Sequence, residues 1–166
     1  MTLGSHPNVS LLEKFYAGLK NADLSAISEC YDDNAYFEDI AFKRYGKSQI
    51  MEMWQLVCHA KPKIIVLSLS ADVDNGVARW NAKYKYGKTE TKPGRQVINT
   101  LNSKFVFRDG YIINQRDDCD ARAWARQAFP FPISLAAGWI GPLRRYVAKQ
   151  RLDKFLEEKS PHSSPA

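Results

Sequence analysis

The chain has 166 residues, 45% of them hydrophobic and 25% charged, enough for one domain with a substantial core. Its net charge of +6 permits an anionic partner without demanding one. No apolar run approaches the roughly 20 residues needed to span a bilayer. Residues 1–9 lack a basic start followed by an apolar stretch, so neither a membrane anchor nor a secretory leader is expected, and a cytoplasmic location is. Cys30, Cys58 and Cys119 are odd in number and far apart, which predicts reduced, mostly packed thiols.

Residues 8–20 place Leu11, Leu12, Phe15, Tyr16 and Leu19 at helical spacing, giving one buried stripe. Asp23 is a good N-cap for a short second helix running to about Tyr31. Residues 36–40 read as a strand. Gly46 then opens a third helix, with Ile50, Met51, Trp54, Leu56, Val57 and Cys58 as its apolar set, and Pro62 stops it. Four strands follow: 64–71 is β-branched and apolar, 77–86 alternates, and 97–107 pairs with 111–119 across an Asp109-Gly110 turn. In 77–86 the alternation sets Ala78, Trp80, Ala82, Tyr84 and Tyr86 against Val77, Arg79, Asn81, Lys83 and Lys85. The polar face of such a strand covers solvent or a wet pocket. Beyond Asp120 the pattern turns helical: 122–129, a Pro130-Phe-Pro132 break, the small apolar run 135–140, and an amphipathic helix over 143–157. The order of helices and strands fits one sheet curled around helices rather than βαβ units.

Some local motifs carry little chemistry. Gly46-Lys47-Ser48 lacks the first glycine and the leading strand of a phosphate loop. Lys83 to Lys88 mixes basic and aromatic residues, but alternation puts them on opposite faces, so no nucleic-acid site is expected. His6, His59 and His162 are isolated, and no metal site is expected. The last helix is basic, with Arg144, Arg145, Lys149, Arg151 and Lys154; a docked amphipathic helix is expected, with a membrane-surface or partner-binding helix as the alternative.

Two stretches say most about function. Residues 30–39, Cys-Tyr-Asp-Asp-Asn-Ala-Tyr-Phe-Glu-Asp, end a helix and enter a strand bearing a carboxylate at Asp39. Residues 105–120, with the Asp109-Gly110 turn, carry another at Asp117. With a helix in front and long strands between, the chain resembles the NTF2-like superfamily, which includes the SnoaL-like, ketosteroid isomerase-like and limonene-epoxide hydrolase-like proteins. The resemblance implies an α+β cone: a curved, mostly antiparallel sheet wrapped around N-terminal helices. It implies a domain over 1–129; beyond it the residues themselves predict a helical extension over 130–159 and a polar, proline-containing tail over 160–166 that is expected to be disordered.

The resemblance also implies site residues. In the ketosteroid isomerase branch a general-base aspartate follows the first strand in a Glu-Asp step, which falls on Glu38-Asp39. The oxyanion donors of that branch fall on Phe15, next to Tyr16, and near Ser103, so they are not reproduced. In the epoxide hydrolase branch an Arg-x-Asp falls on Arg79-Trp80-Asn81 and a second aspartate on Asp117, while the water-holding tyrosine and asparagine fall on Phe37 and Asp39. If the polar face of 77–86 is concave, Arg79 and Asn81 share it, Arg79 pairs with Asp117 and keeps it ionised, and Asp39 has a raised pKa suited to acid or base work. The bland alternatives are a strand-end Asp39 paired with Arg44 or Lys43, and a cross-strand Arg79–Asp117 ion pair on a wet face.

The catalytic candidates are therefore Asp39, Asp117, Arg79 and Asn81. Phe15, Tyr16, Phe37, Trp54, Leu101, Ser103 and Phe105 are expected to line an apolar pocket, with residues 124–140 as its lid or wall. The implied activity is a SnoaL-like pocket for a small apolar oxygenated molecule, with cofactor-free acid/base isomerase, cyclase or epoxide hydrolase chemistry. The alternatives are a binding-only module and a protein-interaction scaffold. Domains of this kind usually pair through the outer face of the sheet, so a homodimer is expected.

Overall fold

The computed structural model describes residues 6–160. Both His162 and nearly all of the expected 160–166 tail lie outside the described residues. Helix α1 (Pro7–Asn21) starts with Pro7 in its first turn, where a missing N–H costs nothing, and His6 Nδ1 accepts a hydrogen bond from the Asn8 N–H (3.2 Å). Helix α2 (Leu24–Ser28) is capped by Asp23, whose side chain accepts from the Ala26 N–H at 3.0 Å. This helix is shorter than expected, because the chain turns extended at Tyr31: strand β1 is Tyr31–Glu38. A short strand β2 (Lys43–Tyr45), unforeseen in the sequence, folds back on it. Helix α3 (Lys47–His59) then starts after Gly46, whose φ of 81° suits glycine.

The remaining strands are β3 (Lys63–Ala71), β4 (Asn75–Tyr86), β5 (Arg95–Arg108) and β6 (Tyr111–Asp118). They form one open sheet in the order β2-β1-β6-β5-β4-β3. Only β1 and β6 pair in parallel; the other neighbours are antiparallel. Helices α4 (Ala121–Ala128), α5 (Ile133–Trp139) and α6 (Gly141–Lys159) follow. Among the described residues no helix is long and apolar enough to cross a membrane.

The core lies between α1, α3 and the inner face of the sheet, and is unusually aromatic. Phe15 meets Tyr16, Tyr31, Trp54 and Phe105 edge-on, with ring centroids 5.0–6.0 Å apart. Gly76 lets β4 approach this cluster: a Cβ there would sit 2.8 Å from the Phe107 ring and 3.0 Å from Leu12. A smaller core of Val97, Trp124, Ala125, Ala128 and Ala137 seats α4 and α5 on the far end of β5.

Glu38 ties the edge of the sheet to the last helix. Its carboxylate takes Lys43 (3.4 Å), Arg116 (2.9 Å) and Arg145 (3.4 Å), and the Tyr36 hydroxyl donates to it at 2.8 Å. The Tyr36 hydrogen bond, followed by those from Arg116 and Lys43, overcomes burial and holds its pKa down to about 2. Lys43 and Arg44 thus serve Glu38 and Glu52, not Asp39 as one reading of the sequence would have it.

Phe15 is fully buried and sits at the centre of the aromatic cluster. Replacing Phe15 with Ala should cost about 3–5 kcal/mol, read as a lowered urea midpoint with an unchanged slope. A loss under about 1 kcal/mol would mean that the cluster can collapse around the missing ring.

Candidate functional site

Two carboxyl groups reach one cavity. It has a volume of about 940 Å3 and lies between the inner face of the sheet, α3 and α6. Phe37, Trp54, Ile64, Trp80 and Leu101 supply apolar wall, and Asp39, Asp117, Asn99 and Tyr84 are its main inner polar groups. A cavity of this size and make-up suits a small organic ligand. Trp124 of α4 and Ala148 and Arg151 of α6 complete one side, so the C-terminal helices contribute wall, while α5 contributes no lining residue.

Asp117 enters from β6, opposite Ser103 in the β5–β6 register. It is 5% exposed and, among the described residues, has no cationic partner. A chain of hydrogen bonds fixes it instead. Trp54 Nε1 donates to the Tyr31 hydroxyl (3.0 Å), Tyr31 donates to Gln115 Oε1, and Gln115 Nε2 donates to Asp117 Oδ1 (3.0 Å). On the other side Trp80 Nε1 donates to Ser103 Oγ (2.8 Å), which holds Ser103 opposite Asp117 in the β5–β6 register. Burial raises the Asp117 pKa to about 7; Ser103 and Gln115 oppose that rise, and the charge of Asp39 adds to it.

Asp39 follows β1 and closes the turn into β2. Its Oδ1 accepts from the N–H groups of Ala41 (2.7 Å) and Phe42 (2.5 Å), and its own N–H donates to Phe42 O (3.0 Å). This turn is a sound structural use of an aspartate, and it leaves the second carboxyl oxygen free. Burial raises the Asp39 pKa to about 6 against the pull of the two N–H groups and of Arg145. Consecutive residues Glu38 and Asp39 thus have carboxyl groups pushed in opposite directions, one neutralised by ion pairs and one left near neutral pH.

The other sequence candidates divide. Phe37, Trp54 and Leu101 line the cavity. Phe15, Tyr16, Ser103 and Phe105 lie behind its wall in the packed core. The Tyr16 hydroxyl is buried there without a hydrogen-bond partner, and burial, then the charge of Asp117, raises its pKa while Ser103 opposes. Arg79 and Asn81 require a correction. Their alternation with buried Ala78, Trp80 and Ala82 puts them on the outer face, where Arg79 is exposed and Asn81 accepts from Thr100 Oγ1 (2.9 Å). Neither reaches Asp117, because the apolar face of β4 fills the cone. Gln115 and Tyr31, which hold Asp117, went unnoticed in the sequence; Gln115 lies two residues before Asp117 on the same strand face, a signal that was legible.

A SnoaL-like domain model matches residues 12–115, more than half of the chain. The chain belongs to the SnoaL-like domain family. No curated protein matches it in sequence. Solved structures with the same fold include TerC, crystallised with polyporic acid, at 15% identity and a TM-score of 0.63, covering 74% of this chain and 98% of that one. A candidate polyketide cyclase from Xanthomonas campestris pv. campestris aligns at 14% identity and 0.63 over 74% and 97%. A protein with a ketosteroid isomerase-like fold from Catenulispora acidiphila, in complex with trimethylamine, aligns at 11% identity and a TM-score of 0.60 over 71% of this chain and 91% of that one. At these identities the likeness establishes the fold: this SnoaL-like chain has the NTF2-like architecture.

The buried Asp117 makes the stability of this SnoaL-like domain pH-dependent. Its folded pKa of about 7 lies above the unfolded value. Its carboxyl therefore costs nothing below the unfolded pKa, and stability falls as pH rises from there through about 7. Asp117→Asn should raise stability by on the order of 2–4 kcal/mol at pH 8 and change it little at pH 4. Melting curves at both pH values check this; equal effects at the two would contradict it.

Proposed function

We propose that the cavity binds a small, mostly apolar oxygenated molecule and moves a proton on it by acid/base chemistry. The observation that carries this reading is the pair of carboxyl groups with pKa values near 6 and 7 in one largely apolar space. Groups tuned to the working pH are the ones that transfer protons well. Because the two charges disfavour each other, the pair holds about one proton between pH 6 and 7.

In the reactive form Asp39 is ionised and Asp117 protonated. The free oxygen of Asp39 takes a proton from carbon beside a carbonyl, or from a water molecule. Asp117 donates to the oxygen on which charge develops, with Gln115 and Ser103 holding its orientation. Isomerisation, cyclisation and epoxide opening all use this division of labour. Arg79 and Asn81 have no part in it. TerC with polyporic acid and the candidate polyketide cyclase are in keeping with an oxygenated ring compound as ligand. A binding-only role is the second reading, favoured by one observation: Asp39 already has a structural occupation in its turn.

A thermal-shift screen against apolar ketones, enones, epoxides and aromatic polyketide-like compounds identifies the ligand class, since a ligand that binds only the folded state raises the melting temperature. With a substrate in hand, kcat/KM should rise through about pH 6 and fall through about pH 7. Asp39→Asn should lower it by about 10²–10⁴-fold while the variant stays folded. Unchanged turnover in Asp39→Asn would remove the catalytic reading, and binding without any turnover would establish the second one.

A further inference from the structure

Helix α5 is turned inside out. Its buried positions are Ser134, Ala137 and Gly138. Small residues there let it lie close on α4: a Cβ at Gly138 would sit 3.3 Å from the Arg122 Cα and 3.6 Å from the Ala125 Cβ. Its outward positions include Ile133, Leu135 and Trp139, with Phe131 before the helix and Ile140 after it, and these five are 49–79% exposed. A helix on the surface of a domain ordinarily turns polar residues to water. The one polar side chain of α5 is Ser134, and it is buried. Packing on α4 needs the small inward set and makes no use of the bulky outward one, so the exposed apolar face calls for something to cover it.

The charge around this face is as one-sided as its hydropathy. The chain has 24 basic and 18 acidic residues; residues 121–152 hold six of the basic ones and none of the acidic. The rest of the chain is therefore neutral on balance, and the net charge of +6 lies in this stretch. Four of the six cations have partners within the fold. Arg144 donates to the Ala137 carbonyl at the end of α5 (3.0 Å), Arg145 pairs with Glu38 (3.4 Å), Lys149 pairs with Asp153 (2.6 Å), and Arg151 stacks on Tyr86. Arg122 and Arg126, one turn apart on α4, are exposed. The Arg122 guanidinium lies 3.5 Å over the Trp139 ring, which holds a positive charge at the edge of the apolar face.

Apolar and aromatic side chains flanked by arginines, with no carboxylate near in sequence, match the boundary between acyl chains and anionic headgroups in a bilayer. A second copy is a poorer occupant, because a self-complementary contact would bring two stretches of like charge together. With seven residues, α5 is far short of the roughly 20 needed to span a bilayer. We propose that α5 docks this chain on an anionic membrane surface: Phe131, Ile133, Leu135, Trp139 and Ile140 enter the interfacial layer, and Arg122 and Arg126 lie among the headgroups. Since α5 contributes no residue to the cavity wall, the docking face is separate from the ligand site and does not depend on how that site is read.

The test mixes the full chain with vesicles of phosphatidylcholine alone, and of phosphatidylcholine with phosphatidylglycerol, and follows co-sedimentation and tryptophan emission. Trp54, Trp80 and Trp124 are buried and Trp139 is exposed, so a blue shift on binding reports Trp139. The chain should bind the phosphatidylglycerol vesicles about tenfold or more tightly than the neutral ones, and roughly tenfold higher salt should weaken that binding about threefold or more. The emission should move to the blue. The variant L135S/W139S should co-sediment about tenfold or more weakly, with a melting temperature close to that of the parent, because both side chains are exposed. Failure to bind either vesicle, equal binding to both, binding without a blue shift, or binding that L135S/W139S leaves intact would overturn the proposal. Self-association abolished by L135S/W139S, in a chain that ignores vesicles, would assign the face to a second copy instead. The lipid, salt and emission comparisons use the unaltered chain, so they decide the matter even if the variant misfolds.

Discussion

A carboxyl group driven into an aromatic cone sets the terms for the rest of this molecule. Among the described residues Asp117 has no cation beside it, and burying a lone carboxylate in such surroundings is expensive. The fold meets that cost by letting the group keep its proton near neutral pH and by surrounding it with neutral donors. Trp54, Tyr31 and Gln115 form one arm of the support, and Trp80 and Ser103 the other. These residues come from α3, β1, β4, β5 and β6, so the site is assembled only when the sheet has curled around the helices. Because every member of the chain is buried and hydrogen-bonded, it also fixes the direction of the Asp117 side chain.

The contrast between Glu38 and Asp39 shows how environment divides the work of neighbouring carboxylates. Glu38 faces three cations and a tyrosine hydroxyl and is a structural clasp between β1, β2, β6 and α6. Asp39 turns toward the cavity, held by two backbone N–H groups, with one oxygen free. A single step along the chain separates a group fixed as an anion from one able to exchange a proton.

Much of this was legible in the sequence. The helical stripe of Leu12, Phe15, Tyr16 and Leu19, the Asp23 cap and the Asp109-Gly110 hairpin are local signals, and local chemistry decides them. The Glu38-Asp39 step and Asp117 pointed to the two carboxylates that share the cavity. Arg79 and Asn81 were misplaced for a definite reason. Alternation sorts a strand into two faces but does not say which face is concave. Trp80, flanked by Ala78 and Ala82, had the stronger claim to an apolar interior, and the polar set went outward. The support for Asp117 was harder to read, since Tyr31 and Gln115 are 84 positions apart and meet only through the parallel β1–β6 pairing.

The central claim is that Asp39 and Asp117 share a low-polarity cavity and titrate near neutral pH under each other's influence. Carbon-13 NMR of the aspartate carboxyl groups, followed from pH 3 to 9, tests it without a substrate. Asp117 should titrate near pH 7 and Asp39 near pH 6. In Asp39→Asn the Asp117 midpoint should move down, because the opposing charge is gone. Two independent midpoints close to the ordinary aspartate value of about 3.9, unaffected by the substitution, would contradict the account.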